Sequence, residues 1–431
     1  MRITKRHLLG LVAALPLAWL SACGGGDDGN NANVRLVNAS AGYASLDLYV
    51  EDDVAVSDVA FGNGSSYASV KSGEVSNVLT ASGSTTELLD QTRALGSGKK
   101  YTIVAYGWEG ALRSVIMLDD ESAADSNKTK VSVLNSAIDS GELDVYLTGT
   151  DESLDSSTPI ASGVDAGSQS GFSSVTSGTY RLRVTGTGDT SDLRLDIPSV
   201  TLDSTKVLTI VMAPGASGVL VHAIGVVQDG TVTPYLNTQA RVRMVAAVAA
   251  VPTFSRVTVN AGSTSLGSNV LSSTVRPYVL VDAGTLTLHT FVDGIELTDK
   301  PVTLAAGADV TVLVTGLSAA DAVVNTIADD NRLPSVTTKY KLRLIHAAPS
   351  LTDQNLSLRV DAEDVVSDLP FSEASDFEDR LASSSATIDI STPTSGSIYT
   401  LTEQNLLSKG LYTVYMFDYV DGPKAVLAKD R

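Results

Sequence analysis

The chain writes one short pattern four times, and a repeat of that kind restricts the fold more than any single motif. The first copy is Val34-Arg35-Leu36-Val37-Asn38-Ala39-Ser40-Ala41, followed by Leu46-Asp47-Leu48-Tyr49-Val50. The second is Val131-Ser132-Val133-Leu134-Asn135-Ser136-Ala137 with Leu143-Asp144-Val145-Tyr146-Leu147. Val242-Arg243-Met244-Val245-Ala246-Ala247 with Val257-Thr258-Val259 is the third. Leu342-Arg343-Leu344-Ile345-His346-Ala347-Ala348-Pro349 with Leu356-Ser357-Leu358-Arg359-Val360 completes the series. A period of about 100 residues is too long for a solenoid unit and suits an autonomous sandwich domain.

Further blocks recur in the same order. Val56-Ser57-Asp58-Val59-Ala60-Phe61 returns as Val366-Ser367-Asp368-Leu369-Pro370-Phe371. Each copy then places an aromatic six residues before a turn residue: Tyr67 with Gly73, Phe172 with Gly178, Tyr278 with Gly284, and Phe377 with Ser383. This reads as an aromatic plugging the core ahead of a hairpin turn with positive φ, which Gly adopts freely and Ser383 does not favour. A strand opening at Thr102, Thr209, Thr311 or Thr413 follows, with the β-branched, apolar character of a strand buried between two sheets. Copies one and three end in Asp119-Asp120 and Asp329-Asp330, and copy four in Lys429-Asp430-Arg431.

The 431 residues allow two to four domains at roughly 100 to 200 residues each, and the repeat selects four. Val, Thr, Ser and Gly abound, and no long stretch keeps helical spacing, so the expected class is all-β. The expectation is a tandem of immunoglobulin-like β-sandwich domains over residues 34–125, 130–231, 240–332 and 340–431. Polar joins are expected at 121–129, 230–239 and 331–338, and an insertion at 148–163 lengthens the second copy.

Residues 1–22 read as a lipoprotein signal peptide. Arg2, Lys5 and Arg6 form its basic end, and residues 8–20 form an apolar run too short to span a bilayer. It closes on Leu20-Ser21-Ala22-Cys23, which resembles the lipobox of bacterial lipoproteins and marks Cys23, the only cysteine, for lipidation. The Gly, Asn and Asp residues after Cys23, through residue 33, cannot order themselves and make a flexible tether of about 17 to 19 Å reach. Gly24 replaces the Asp that would resemble an inner-membrane retention signal, so the expected address is the cell envelope, at the outer membrane. With one cysteine, no intramolecular disulfide forms, and packing and hydrogen bonds hold the domains. The net charge of −19 repels phosphate backbones and excludes nucleic acid as a partner.

The order of these blocks resembles the bacterial domain-of-unknown-function family 4397, whose opening block commonly reads Val-Arg-Val-Val-His-Ala-Ser-Pro. The stretch Leu342-Arg343-Leu344-Ile345-His346-Ala347-Ala348-Pro349 matches it best, while Asn38, Asn135 and Ala246 stand at the His position elsewhere. The resemblance implies tandem domains in exported proteins and brings no assigned activity.

Residue chemistry points away from catalysis. His222, His289 and His346 occupy different points of different copies, without the spacing of a zinc site or a Ser-His-Asp triad. His346, where other copies carry Asn or Ala, suits a turn or cap hydrogen bond. Gly96-Ser97-Gly98-Lys99-Lys100 lacks the first Gly and the Ser or Thr of a phosphate loop and reads as a hairpin turn. The acidic runs Glu51-Asp52-Asp53, Asp119-Asp120-Glu121 and Asp329-Asp330-Asn331 are calcium candidates without EF-hand spacing. No catalytic residue, metal site or cofactor is expected. The candidate binding loop is Trp108 with Glu109, where the indole either stacks on a glycan or envelope-protein partner or anchors its own loop. The functional expectation is a lipid-anchored, non-catalytic binding or adhesion module. A structural spacer or assembly subunit is the alternative, and an enzyme is the least supported class.

Overall fold

Strict alternation along the first repeat block decides its place in the fold. Val34 and Leu36 point one way into an apolar core with Leu46, Leu48, Val75, Leu79 and Ile103, while Val37 and Ala39 belong to a separate cluster on the other side. In the computed structural model, which describes residues 30–249 and 254–431, this block is strand β1, Asn31–Ala39. The first unit continues with β2 Ser45–Val50, β3 Asp53–Ala60, β4 Ala68–Lys71, β5 Gly73–Ala81, β6 Glu87–Leu95, β7 Lys100–Tyr106 and β8 Arg113–Leu118. One sheet runs β4-β1-β7-β8 and the other β3-β2-β5-β6, with β1 parallel to β7 and all other pairs antiparallel.

Among the described residues eight sheets make four such sandwiches, so the all-β tandem architecture is as the repeat implies. The strand order, which the sequence left open, recurs in the fourth sandwich, where Lys339–Ala347 lies parallel to Leu411–Tyr419. The same parallel pairing joins Lys128–Asn135 to Val207–Pro214 and Gln239–Val248 to Asp309–Gly316.

Several local expectations change. Residues 31–33, expected in the tether, are already strand, because Asn31, Ala32 and Asn33 pair with Lys71, Val70 and Ser69 and Ala32 is fully buried. Gly73 and Gly284 have φ of 110° and 117° but are not hairpin turns. Each is the corner where the chain leaves one sheet for the other, a crossing that Ser383 makes without positive φ. The Gly96–Lys100 turn is likewise a sheet-to-sheet connection, since β6 pairs with β5 and β7 with β1 and β8. The expected join at 230–239 contains a strand, Val232–Tyr235, which pairs with Val221–Val227 and carries the second sandwich past residue 231. The lipidation at Cys23 and the leader lie outside the described residues.

The sandwiches associate in pairs through the outer faces of their parallel strands. Val37, Ala39 and Val104 of the first pack against Leu134, Val211, Ala213, Ile224 and Val226 of the second. Val245, Ala247 and Leu313 of the third pack against Ile345, Ala347, Tyr415 and Phe417 of the fourth. Strands that read as continuously apolar are thus buried by their own core on one face and by the neighbouring sandwich on the other. At about 1.5 to 3 kcal/mol per large apolar side chain removed from water, each junction is a strong contact.

Candidate functional site

One polar cluster recurs on these outer faces. In the first sandwich Arg35 Nε donates to Thr102 Oγ1 at 2.7 Å, Thr102 Oγ1 donates to Asp119 Oδ2 at 2.6 Å, and the Tyr67 hydroxyl donates to the same oxygen at 2.7 Å. The guanidinium lies 4.7 Å from the Tyr67 ring centre. Parallel pairing sets Arg35 beside Thr102, and Asp119 follows two residues after Met117, the partner of Thr102 on β8. The third sandwich repeats this with Arg243, Thr311, Asp329 and Tyr278, and the fourth with Arg343, Thr413, Asp430 and Phe377. The aromatics expected as core plugs are therefore platforms for arginines on the outer face. In the second sandwich Ser132 and Gln228 replace the Arg and the Asp together, which keeps the buried charge balanced, and Phe172, with no arginine over it, is 41% exposed.

Between the third and fourth sandwiches the ions exchange partners: Arg343 reaches Asp329 at 2.6 Å, and Arg243 reaches Asp430. Arg35 instead caps the Gly230 and Val227 carbonyls of the second sandwich at 2.9 and 3.1 Å. Burial pushes the Asp119 carboxyl up, and burial with the Asp119 hydrogen bond raises the Tyr67 phenol to about 12. The carboxylates of two calcium candidates are engaged in these clusters: Asp119 is held by Thr102 and Tyr67, Asp329 by Thr311, Tyr278 and Arg343, and Asp120 pairs with Lys99. These clusters are structural.

His346 and the asparagines at its repeat position do one job. Asn38 Oδ1, Asn135 Oδ1 and His346 Nδ1 each accept the backbone N–H two residues on, from Ser40, Ala137 and Ala348. His222 accepts from Asn237 N at 2.9 Å, and burial lowers its pKa to about 4. Among the described residues His289, Glu296 and Asp299 bring ligand atoms within 4.8 Å of one another on an exposed hairpin, with His289 Nδ1 and Asp299 Oδ1 2.8 Å apart. Nothing further points to an ion there.

Trp108 lies at the meeting of several sandwiches. Its turn is docked from below: a Cβ on Gly42 would sit 2.2 Å from Glu109 N and 2.6 Å from the Trp108 carbonyl carbon. Ser40 Oγ donates to Gly107 O at 2.7 Å, and Gly110 N donates to the Tyr43 hydroxyl at 3.1 Å. The indole Nε1 donates to Asp139 of the second sandwich, and the Arg332 guanidinium lies 4.8 Å from the ring centre. Asp139 Oδ1 also accepts from Leu333 N at 3.1 Å. Hydrogen bonding to Asp330 raises the Arg332 pKa. Burial acts to raise that of Asp330, but Arg332 and Lys341 outweigh it and hold it low. Around these groups opens a cleft of about 390 Å³, lined also by Arg113, Pro334, Lys341, Asp379 and Lys409. Glu109 is exposed and is not among the lining residues. The second-sandwich and later residues were not legible as a site, because each comes from a different repeat and none has a local motif.

Fold and site define a class: a tandem β-sandwich protein with an inter-domain cleft. The family described as Domain of unknown function (DUF4397) matches residues 32–146 and 244–353, just over half of the chain, and the chain belongs to it. No curated protein matches. A family 26 carbohydrate-binding module of Eubacterium rectale Amy13K, solved with maltoheptaose, is similar at 13% identity over 47% of this chain and 97% of that one, with a TM-score of 0.16.

Proposed function

We propose that the chain is an exported envelope protein, anchored through lipid on Cys23 at the outer membrane, that binds a partner at the Trp108 cleft and catalyses nothing. In this reading all four sandwiches are copies of the family domain, and the joints between them create a surface that no single copy has. The supporting observation is the cleft itself, where one indole is held between Asp139 and Arg332 from other parts of the chain. Catalysis would require a nucleophile, base or metal within mutual reach of a substrate. The cleft presents cations, an indole and carboxylates largely committed to structural bonds.

The test is retention of envelope glycans and proteins on the immobilised chain starting at residue 24. Trp108→Ala should weaken retention by about 1 to 3 kcal/mol. Unchanged retention rejects the cleft, and turnover abolished by one carboxylate substitution rejects the non-catalytic reading. A second reading, a rigid spacer, is favoured by the apolar junctions and exchanged ion pairs. A spacer tolerates Trp108→Ala and fails when a sandwich pair is deleted.

A further inference from the structure

We infer that the Trp108 cleft takes a small acidic sugar, its carboxylate on Arg113 and Lys409 and its apolar ring face against Trp108 and Pro334. This inference rests on the binding reading above and adds the ligand class. The argument begins with charge. The chain as a whole is strongly acidic at −19, yet this cleft gathers four cations, Arg113, Arg332, Lys341 and Lys409.

The nearby carboxylates are mostly committed. Asp139 uses both oxygens, on the Trp108 indole N–H and on Leu333 N. Asp330 receives the Arg332 fork at 2.6 and 2.9 Å and faces Lys341 Nζ at 3.5 Å. Among the described residues Arg113 and Lys409 make no ion pair, and of the lining carboxylates only Asp379 lacks a side-chain hydrogen bond. Two uncommitted cations therefore face one uncommitted carboxylate, a balance that selects an anion.

Size and polarity narrow the class. A volume of about 390 Å³ admits a sugar unit or two and no folded domain. Trp108, Pro334, Leu333 and Ile138 give the floor an apolar component that inorganic phosphate cannot use but the C–H face of a pyranose can. A carboxylated sugar satisfies both sets of groups at once, whereas a neutral sugar leaves the cations unused.

Trp108 is the sole tryptophan from residue 24 onward, so its fluorescence reports on this cleft alone. The experiment titrates that chain with digalacturonate, maltose and inorganic phosphate at matched ionic strength, reading fluorescence and isothermal heat together. Saturable binding of digalacturonate, absent for maltose and phosphate and weakened at least about tenfold in the Arg113→Ser, Lys409→Ser double variant, is the expected result. No saturable signal by about 10 mM, an equal response to maltose or to phosphate, or an unaffected double variant each overturns the acidic-sugar assignment. If envelope partners are still retained in a Trp108-dependent way while digalacturonate fails, the ligand class is wrong and the binding reading stands. If nothing is retained, the binding reading itself falls.

Discussion

Arg343 of the fourth sandwich donates to Asp329 of the third at 2.6 Å, with the two side chains 2% and 0% exposed. The same Asp329 receives Thr311 Oγ1 and the Tyr278 hydroxyl, so one carboxylate ties two sandwiches and two strands. Asp329→Ala strands a buried guanidinium and should cost about 3 to 5 kcal/mol, read by chemical denaturation. Asp329→Leu with Arg343→Met should recover part of that, because an apolar pair leaves no uncompensated charge. A loss below about 1 kcal/mol in the single variant contradicts this account.

His222 makes stability depend on acid. Its folded pKa of about 4 lies below the ordinary imidazole value of 6.5, so between these limits the unfolded chain binds more protons and stability falls as pH falls. Its contribution is intact above pH 6.5, declines through the window, and is lost by about pH 4, by roughly 3 kcal/mol in all. Urea midpoints from pH 7 to 4, compared with His222→Gln, measure it. An identical pH slope in the variant assigns the effect elsewhere.

Gly42 supports the Trp108 turn by having no side chain. Gly42→Ala drives a Cβ into the backbone of Glu109 and Trp108 and should displace the turn, with a red shift of tryptophan emission as the indole leaves Asp139 and Arg332. Unaltered emission would mean that the turn accommodates the methyl by a small shift.

Limited proteolysis should distinguish true joins from structured ones. Residues 122, 123, 125–127 and 335–338 are exposed and outside strands, so early cuts belong there. Val232–Tyr235 is paired to Val221–Val227 and should resist. First cleavage within β7 or Asp309–Gly316 argues against four independent sandwiches, since both strands are buried on two faces.

Cys23→Ser should leave the chain unprocessed or release it from membranes. Incorporation of labelled palmitate by this variant at the level of the natural chain refutes lipidation at Cys23.

The sequence by itself determined the all-β class, the tandem sandwich architecture and a turn hydrogen bond for His346, because these depend on local alternation and on repetition, which survive in one dimension. Every member of the outer-face cluster was also visible, as the Arg of the opening block, the aromatic, the strand-leading Thr and the terminal Asp. Their union was not, since it required the parallel register of β1 with β7 and the two-residue offset on β8, which only sheet formation sets. Tertiary structure alone decided that Arg343 pairs outside its own sandwich and that Asp119 and Asp329 are bonded by the outer-face clusters. It also decided that Trp108 meets Asp139 and Arg332. Those contacts join residues up to hundreds of positions apart, and the physical reason lies in the outer faces: apolar side chains there find no cover within one sandwich and are removed from water only when another sandwich docks on them.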